Sequence, residues 1–267
     1  MVKSMSVDVN QLETAKICPE CQGSGWRTVG VGIKQGVARC ECQLRARAER
    51  LLQNAGIPPR YKTCTLENYR TDPCFQNLAH AKAKAQSFVE QYPIDKTGLI
   101  FVGRAGAGKT HLAIGIIREL ILTKGIACYF CGFQELLEKI KNSYDPSVQM
   151  TSLEILRPVF ESEVVVLDDL GAVIPSGWVK DTISFILNKR YEGERTTVLT
   201  TNFHDGPPAA SDTDTPDGRA RRVNREQTLG DRIGERMRDR VHEMCRMISL
   251  WEVPSFRGRS LGSDPLR

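Results

Sequence analysis

A chain of 267 residues, 40% hydrophobic and 26% charged, is long enough for one α/β domain of ordinary size plus a small module. Its net charge of +5 is too mild to define a partner, no run approaches the ~20 apolar residues of a membrane-spanning helix, and Met1–Lys16 lacks the apolar core of a secretory leader. Nine cysteines are the compositional oddity, and their spacing argues for metal rather than for a disulfide scaffold.

The first zone, residues 1–56, holds two close pairs, Cys18-Pro19-Glu20-Cys21 and Cys40-Glu41-Cys42, eighteen residues apart. Four thiolates suit a closed tetrahedral zinc site. Gly23 and Gly25 permit the tight turn such a knuckle needs, and Trp26–Val31 with Lys34–Ala38 around Gly32 predict a hairpin that joins the pairs. Residues 1–42 contain too few apolar side chains for a core, which favours a metal as the folding element. Cys-x-Cys is a less usual second half than Cys-x-x-Cys, so free thiols in an open arm stay as the alternative. A charged helical stretch, Gln43–Gln53, follows.

Residues 57–97 open on Ile57-Pro58-Pro59-Arg60-Tyr61 and lead through a predicted helix, Asn77–Gln91, forming a linker and pre-core helix. From Gly98 to Val253 strands alternate with helices, the pattern of a parallel sheet covered on both faces. The predicted strands are Leu99–Val102, Ile126–Phe130, Val164–Leu167, Thr197–Thr201 and Met247–Trp251. The predicted helices are Leu112–Leu122, Phe133–Asn142 and Val179–Tyr191, the last with Val179, Ile183, Ile186, Leu187 and Tyr191 on one face. Cys128 and Cys131 also have Cys-x-x-Cys spacing, but they fall in or just past a strand, where residues three apart point to opposite faces, and are read as buried structural thiols. Residues 205–227 have scarcely an apolar side chain and read as a mobile loop, and 254–267 as a tail. Arginines gather at Arg45, Arg47 and Arg50 and again from Arg219 to Arg240, which fits contact with nucleic acid or phosphate as well as a solvated basic face.

Chemistry concentrates in the third zone. Gly103-Arg104-Ala105-Gly106-Ala107-Gly108-Lys109-Thr110 fits the phosphate loop G-x-x-x-x-G-K-[ST] without mismatch, between an apolar strand and an apolar helix. Glycines let backbone N–H groups turn toward phosphates, Lys109 reaches the β- and γ-phosphates, and the Thr110 hydroxyl can ligate Mg²⁺. A nucleoside triphosphate, and with it the cytoplasm, is the expectation. Val164–Leu167 ends in Asp168-Asp169: Asp168 would hold the Mg²⁺ shell and Asp169 orient or deprotonate the attacking water. A further strand ends Thr200-Thr201-Asn202, whose amide would sense the γ-phosphate or fix the water. Leu229-Gly230-Asp231-Arg232-Ile233-Gly234-Glu235-Arg236-Met237 sets Arg232 and Arg236 four apart on one helical face. Two readings stay open for them: pairing with Glu on the same helix, or an arginine finger presented to a neighbouring subunit.

Together the phosphate loop, VVVLDDLG, TTN and the late Leu-Gly-Asp-Arg helix resemble the AAA+ ATPases, and more narrowly the bacterial helicase-loader branch of the DnaC/DnaI type, to which the IstB transposition ATPases are close. The similarity runs from about Cys18 to Arg257 and includes the blocks GIPPRYKTCTLENY and GDRIGERMRDRVHEMCRMI. It implies a five-stranded AAA+ core without a substantial C-terminal lid, with Arg236 as the finger, Arg232 as its support and Asn202 as the first sensor. It also implies an N-terminal zinc module that binds the replicative helicase, and an ATP-dependent homo-oligomer on single-stranded DNA. The helix Phe133–Asn142, with Lys139 and Lys141, sits where such proteins carry a single-strand element; solvated lysines are the alternative there. Two features depart from the pattern. Asp169 stands where most AAA+ proteins have Glu, which suits a slow switch, and the loop 205–227 is unusually long. The competing functions are an ATPase assisting a transposase on double-stranded DNA, disfavoured by the cysteine pairs, and a nucleotide-sensing adaptor without useful turnover.

Overall fold

The computed structural model describes residues 18–30, 36–208 and 227–256. Most of the loop 205–227 and of the tail 254–267 therefore lies outside the described residues. The chain divides into two compact units between Glu49 and Arg50, so residues 50–97 group with the sheet rather than with the cysteines.

In the first unit the cysteine pairs flank an antiparallel hairpin, β1 (Trp26–Val29) and β2 (Gly36–Arg39), in which Trp26 faces Arg39 and Val29 faces Gly36. The tip of the expected hairpin, 31–35, lies outside the described residues. Nearly every hairpin side chain is exposed, so the strands bury no apolar core of their own, whereas Cys21 and Cys40 are buried. A helix, α1 (Glu41–Asn54), starts directly after Cys40.

The second unit is built on five parallel strands: β3 (Gly98–Gly103), β4 (Cys128–Gly132), β5 (Val164–Asp168), β6 (Thr196–Thr201) and β7 (Cys245–Leu250), in the order β4-β5-β6-β3-β7. The parallel sheet expected from the alternation is therefore present, with the boundaries of two strands shifted. β4 begins two residues late, because Gly125 turns left-handed (φ 64°) to end the preceding helix and Ile126–Ala127 serve the connection. β7 begins two residues early, pairing Cys245 with Gly98. Strands β3, β5 and β6 are buried on both faces, which explains the apolar runs of β3 and β5, whereas β6 buries four threonines around Val198-Leu199.

Alternation along these strands sorts their side chains. Ile100, Val102, Val165, Leu167 and Leu199 face one core, closed by α4 (Phe133–Asn142), α5 (Ser152–Glu161), α6 (Gly177–Glu192), α7 (Leu229–Ile233) and α8 (Glu235–Met244). The intervening residues face the other side, covered by α2 (Gln76–Gln91) and α3 (Lys109–Glu119), the latter prolonged by a π-turn over Leu120–Lys124. Cys128 and Cys131 are both buried in β4, and burial pushes the Cys131 thiol up to about 12.

Helix α5, which carries Pro158, was not among the predicted elements. Its start has a clear local cause: the Thr151 hydroxyl accepts from the Glu154 N–H while the Glu154 carboxylate accepts from the Thr151 N–H. At the amino end of the sheet, Arg190 is fully buried. Its guanidinium donates to the carbonyls of Val159, Ser162, Glu163 and Thr196 and to the Thr197 hydroxyl, tying α5, α6 and β6 together. Burial pulls its pKa down to about 9. We hold it charged at neutral pH, since every partner is an acceptor.

Candidate nucleotide site and cysteine cluster

Because β6 lies between β5 and β3, the carboxyl ends of three adjacent strands meet at one edge of the sheet, the usual place for a ligand in an open α/β fold. Gly103 ends β3, and the loop then turns through Gly106 (φ 85°) and Gly108 (φ 87°) into α3, which starts at Lys109. Tyr69 backs the loop. A Cβ on Gly108 would meet its ring at 2.8 Å, and its hydroxyl donates to the Ala107 carbonyl at 3.4 Å.

Lys109 is 4% exposed. Its ammonium donates to the carbonyls of Gly103 and Arg104, both at 2.9 Å, and to Asn202 Oδ1 at 2.7 Å. Thr110 donates to both oxygens of Asp168, at 2.9 and 3.1 Å. Strand alternation explains the meeting: Asp168 and Thr200 point to the α3 side of the sheet, and Thr200 donates to Asp168 Oδ1 at 2.7 Å. Burial, reinforced by the neighbouring Asp169 carboxylate, pushes Asp168 up to about 6, against the pull of the Thr200 and Thr110 hydroxyls and Lys109. A carboxylate that costly to ionise is suited to a cation. Thr110 Oγ1 also lies from it at about the ~2.9 Å that separates two adjacent ligands of an octahedral Mg²⁺.

Asp169 occupies a left-handed backbone conformation (φ 56°), which turns its side chain away from the strand direction. The turn is held by the Asp169 N–H donating to Thr200 Oγ1 at 2.9 Å. Asn202 then links the two charged groups: its Oδ1 accepts from Lys109, and its Nδ2 donates to Asp169 Oδ1 at 2.9 Å. The loop, Asp168, Asp169 and Asn202 are thus brought together as expected.

The late helix differs from expectation. Gly234 (φ 85°, ψ 152°) breaks it into α7 and α8, so Arg232 and Arg236 do not share one helical face. The physical reason is the glycine between them, which leaves the helical region at no steric cost. Arg232 is half-buried, its guanidinium 4.3 Å from the Phe203 ring centre and donating to the Val173 carbonyl. Arg236 is exposed and makes no ion pair with a described residue. Lys139 pairs with Glu135 at 2.6 Å.

Two residues of the site carried no assignment from sequence. Thr200 was visible only as part of the TTN strand end; its alternation with Asp168 was the usable signal. Tyr69 belongs to the block GIPPRYKTCTLENY, but nothing local says that it supports Gly108, thirty-nine residues away.

In the first unit, Cys18, Cys21, Cys40 and Cys42 place their Sγ atoms within 4.8 Å of one another, with Cys18–Cys40 at 3.7 Å and Cys21–Cys42 at 3.5 Å. Two thiolates on a tetrahedral zinc at ~2.3 Å lie about 3.8 Å apart, so the donor set fits zinc. The thiols also titrate as a group. The Gly25 backbone N–H draws Cys21 down to about 7, and Cys42, hydrogen-bonded to it, is pushed up to about 12. Four such groups ionise together only with a cation among them.

The model of the IstB-like ATP binding proteins matches residues 38–206. The chain is 26% identical over 216 residues, 81% of its own length and 78% of the relative's, to the replicative helicase loader DnaC of Escherichia coli (strain K12). Among solved structures, the DnaC helicase loader superposes with a TM-score of 0.57 at 28% identity, over 72% of this chain and 99% of that one. DnaI superposes at 0.54 and 22% identity over 75% and 96%, a likeness of fold.

Proposed function

Since this chain belongs to the IstB-like ATP-binding proteins and has an AAA+ ATPase core, we propose that it is an ATP-dependent loader delivering a replicative helicase onto single-stranded DNA. The likeness to replicative helicase loaders along most of both chains supports the loader role. The observation that carries the ATP dependence is the Asn202 amide, which joins Lys109 to Asp169 and so ties the phosphate-binding group to the group that handles water.

In this reading the N–H groups of residues 106–110 surround the phosphates, and Lys109 exchanges the Gly103 and Arg104 carbonyls for phosphate oxygens. Thr110 and Asp168 hold Mg²⁺, which when bound neutralises charge between the β- and γ-phosphates. Asp169 aligns the attacking water and accepts its proton on the carboxylate oxygen that Asn202 does not hold. The shorter acid makes this step slow, so the protein works as a switch rather than a motor. Arg236 reaches the γ-phosphate bound by the next copy, giving an ATP-dependent homo-oligomer, with Arg232 anchored behind it. Catalysis is then positioning and charge neutralisation by groups already in place. We assign helicase binding to a zinc-holding module that ends at Glu49, connection to 50–97, ATP hydrolysis to 98–253, and the tail to 254–267, all in the cytoplasm.

The test is delivery of the host's helicase onto closed circular single-stranded DNA coated with its binding protein, scored by unwinding of an annealed strand. Loading by the wild type, lost in Lys109→Ala and Arg236→Ala, is the expected result. The matched family model favours one second reading, an ATPase assisting a transposase on double-stranded DNA. ATP binding without any loading, together with ATP-dependent retention on duplex DNA, would move the assignment there.

A further inference from the structure

The strand end that carries Asn202 runs on into contact with the late helices. Three residues past Asn202, the Asp205 carboxylate accepts twice from Arg238, from Nε at 2.6 Å and Nη2 at 3.2 Å, and from His242 Nε2 at 3.1 Å. Arg238 and His242 stand four apart on α8, so both come from one face of that helix. The side chains of Asp205 and Arg238 are only 21% and 19% exposed. Desolvation at this depth works against the carboxylate, yet its two donors hold it below the usual range.

The same segment holds α7 through its backbone. The Leu229 N–H donates to the His204 carbonyl at 2.7 Å, and the Gly230 N–H to the Gly206 carbonyl at 3.0 Å. A Cβ on Gly230 would come within 2.6 Å of that carbonyl and of the Pro208 nitrogen, so only glycine permits the approach. Between α7 and α8, Gly234 (φ 85°) has nothing within 4 Å of where a Cβ would stand. No neighbour wedges this joint, and the angle between the two helices is set by what α8 touches.

Those contacts are of two kinds. Met237 and Val241 are buried in the core, and such non-directional contacts set how deep the helix lies rather than how it is turned. A guanidinium that meets a carboxylate through two bonds fixes direction as well as distance. Arg240 adds a contact to α6, 4.0 Å from the centre of the Tyr191 ring. Arg236 lies two residues before Arg238, about 200° round the helix, and is exposed. Arg238 and Arg240 thus serve contacts within the chain, while Arg236 stands on the opposite face from the Asp205 fork.

Building on the reading of Arg236 above, we propose that Asp205 is a positioning residue for ATP hydrolysis in the neighbouring copy: it clamps α8 to the end of β6, so that Asn202 and Arg236 move as one piece. Asn202 bonds Lys109 and Asp169 of its own site, whereas Arg236 completes the next one. A shift at Asn202 passes through three residues to Asp205 and across the fork to α8. The finger offered to one site then follows the state of the other. Aim is decisive here, because a misplacement of about 1 Å can cost about 10²-fold in rate.

The experiment measures ATP affinity by calorimetry and steady-state ATPase on full chains. The variants are Asp205→Asn and Arg238→Lys, the second keeping the charge and losing the fork. Expected in both is unchanged ATP affinity with kcat lowered about tenfold or more. Mixing then shows where the defect acts. Asp205→Asn chains keep a sound site of their own, so they should regain activity with Lys109→Ala chains, which lend an intact Arg236, and none with Arg236→Ala chains. Equal outcomes for the two mixtures, an unchanged kcat, or ATP affinity lost in both variants would overturn the proposal. Lys109→Ala mixed with Arg236→Ala is the control. If that mixture stays inert, Arg236 does not act on a neighbour, and the finger reading itself fails and takes the role of Asp205 with it.

Discussion

Asp168→Asn is expected to make the nucleotide-free protein more stable and the nucleotide-bound protein less so. Burial and the Asp169 charge raise the Asp168 carboxyl from its ordinary 3.8 to about 6. That difference corresponds to about 3 kcal/mol of ionisation cost in the folded, metal-free protein. The sign follows from proton uptake. Between pH 3.8 and about 6 the folded state binds more protons at this site than the unfolded state, so its contribution to stability falls as pH rises and the whole cost is present by about pH 7. Asparagine removes the charge while its oxygen still accepts from Thr110 and Thr200. Its new N–H₂ group lacks a partner among the contacts Asp168 makes, which offsets part of the gain. A net gain of about 1–2 kcal/mol, or about 2–8 °C in Tm, is expected at pH 7.5, shrinking to nothing near pH 4. Thermal denaturation with and without ATP and Mg²⁺ measures both halves. Wild type gains about 3 kcal/mol at ligand a hundredfold above Kd, and the variant gains little from Mg²⁺. A variant no more stable than wild type in the absence of ligand, at any pH from 5 to 8, would refute the burial reasoning.

Other perturbations separate the remaining claims. Gly108→Ala should abolish nucleotide binding, because φ 87° costs an alanine about 1–2 kcal/mol and its Cβ would come within 2.8 Å of Tyr69; unaltered ATP affinity by calorimetry would refute this. Zinc affinity should rise with pH between 6 and 8, since thiols such as Cys42, held near 12 without metal, release protons on binding. Competition with a chromophoric chelator tests this, and a flat profile would count against a four-thiolate site. Mixing Lys109→Ala chains with Arg236→Ala chains should restore part of the ATPase activity if Arg236 acts on a neighbour's nucleotide, whereas an inert mixture would place it within its own subunit. Arg190→Met should lower stability by about 3 kcal/mol in urea unfolding, by leaving the Val159 and Thr196 carbonyls buried without donors; a loss below about 1 kcal/mol would show that the helix end relaxes around the gap.

The sequence by itself determined the features whose physics is local. The phosphate loop is a backbone conformation specified by glycines at fixed spacing, and it was legible together with Lys109, Thr110 and the acids that end an apolar strand. Buried parallel strands declared themselves through unbroken runs such as Val164–Leu167. The paired cysteines did so because metal ligands near in sequence leave a spacing signature, and the structure brings all four within reach of one ion. Local signals also misled where two rules competed. The helix α5, begun by a capping box, was not among the predicted elements, and the arginine spacing in Arg232–Arg236 suggested one helix until Gly234, a residue free to leave the helical region, divided it. Only the tertiary structure decided that β6 inserts between β5 and β3, and with it that Thr200 holds Asp168 and that Asn202 joins Lys109 to Asp169. The same holds for Tyr69 behind Gly108 and for Asp205 on Arg238. Such contacts join residues tens of positions apart. No propensity or period encodes them, because they arise only once the sheet order and the helix packing have chosen which distant surfaces meet.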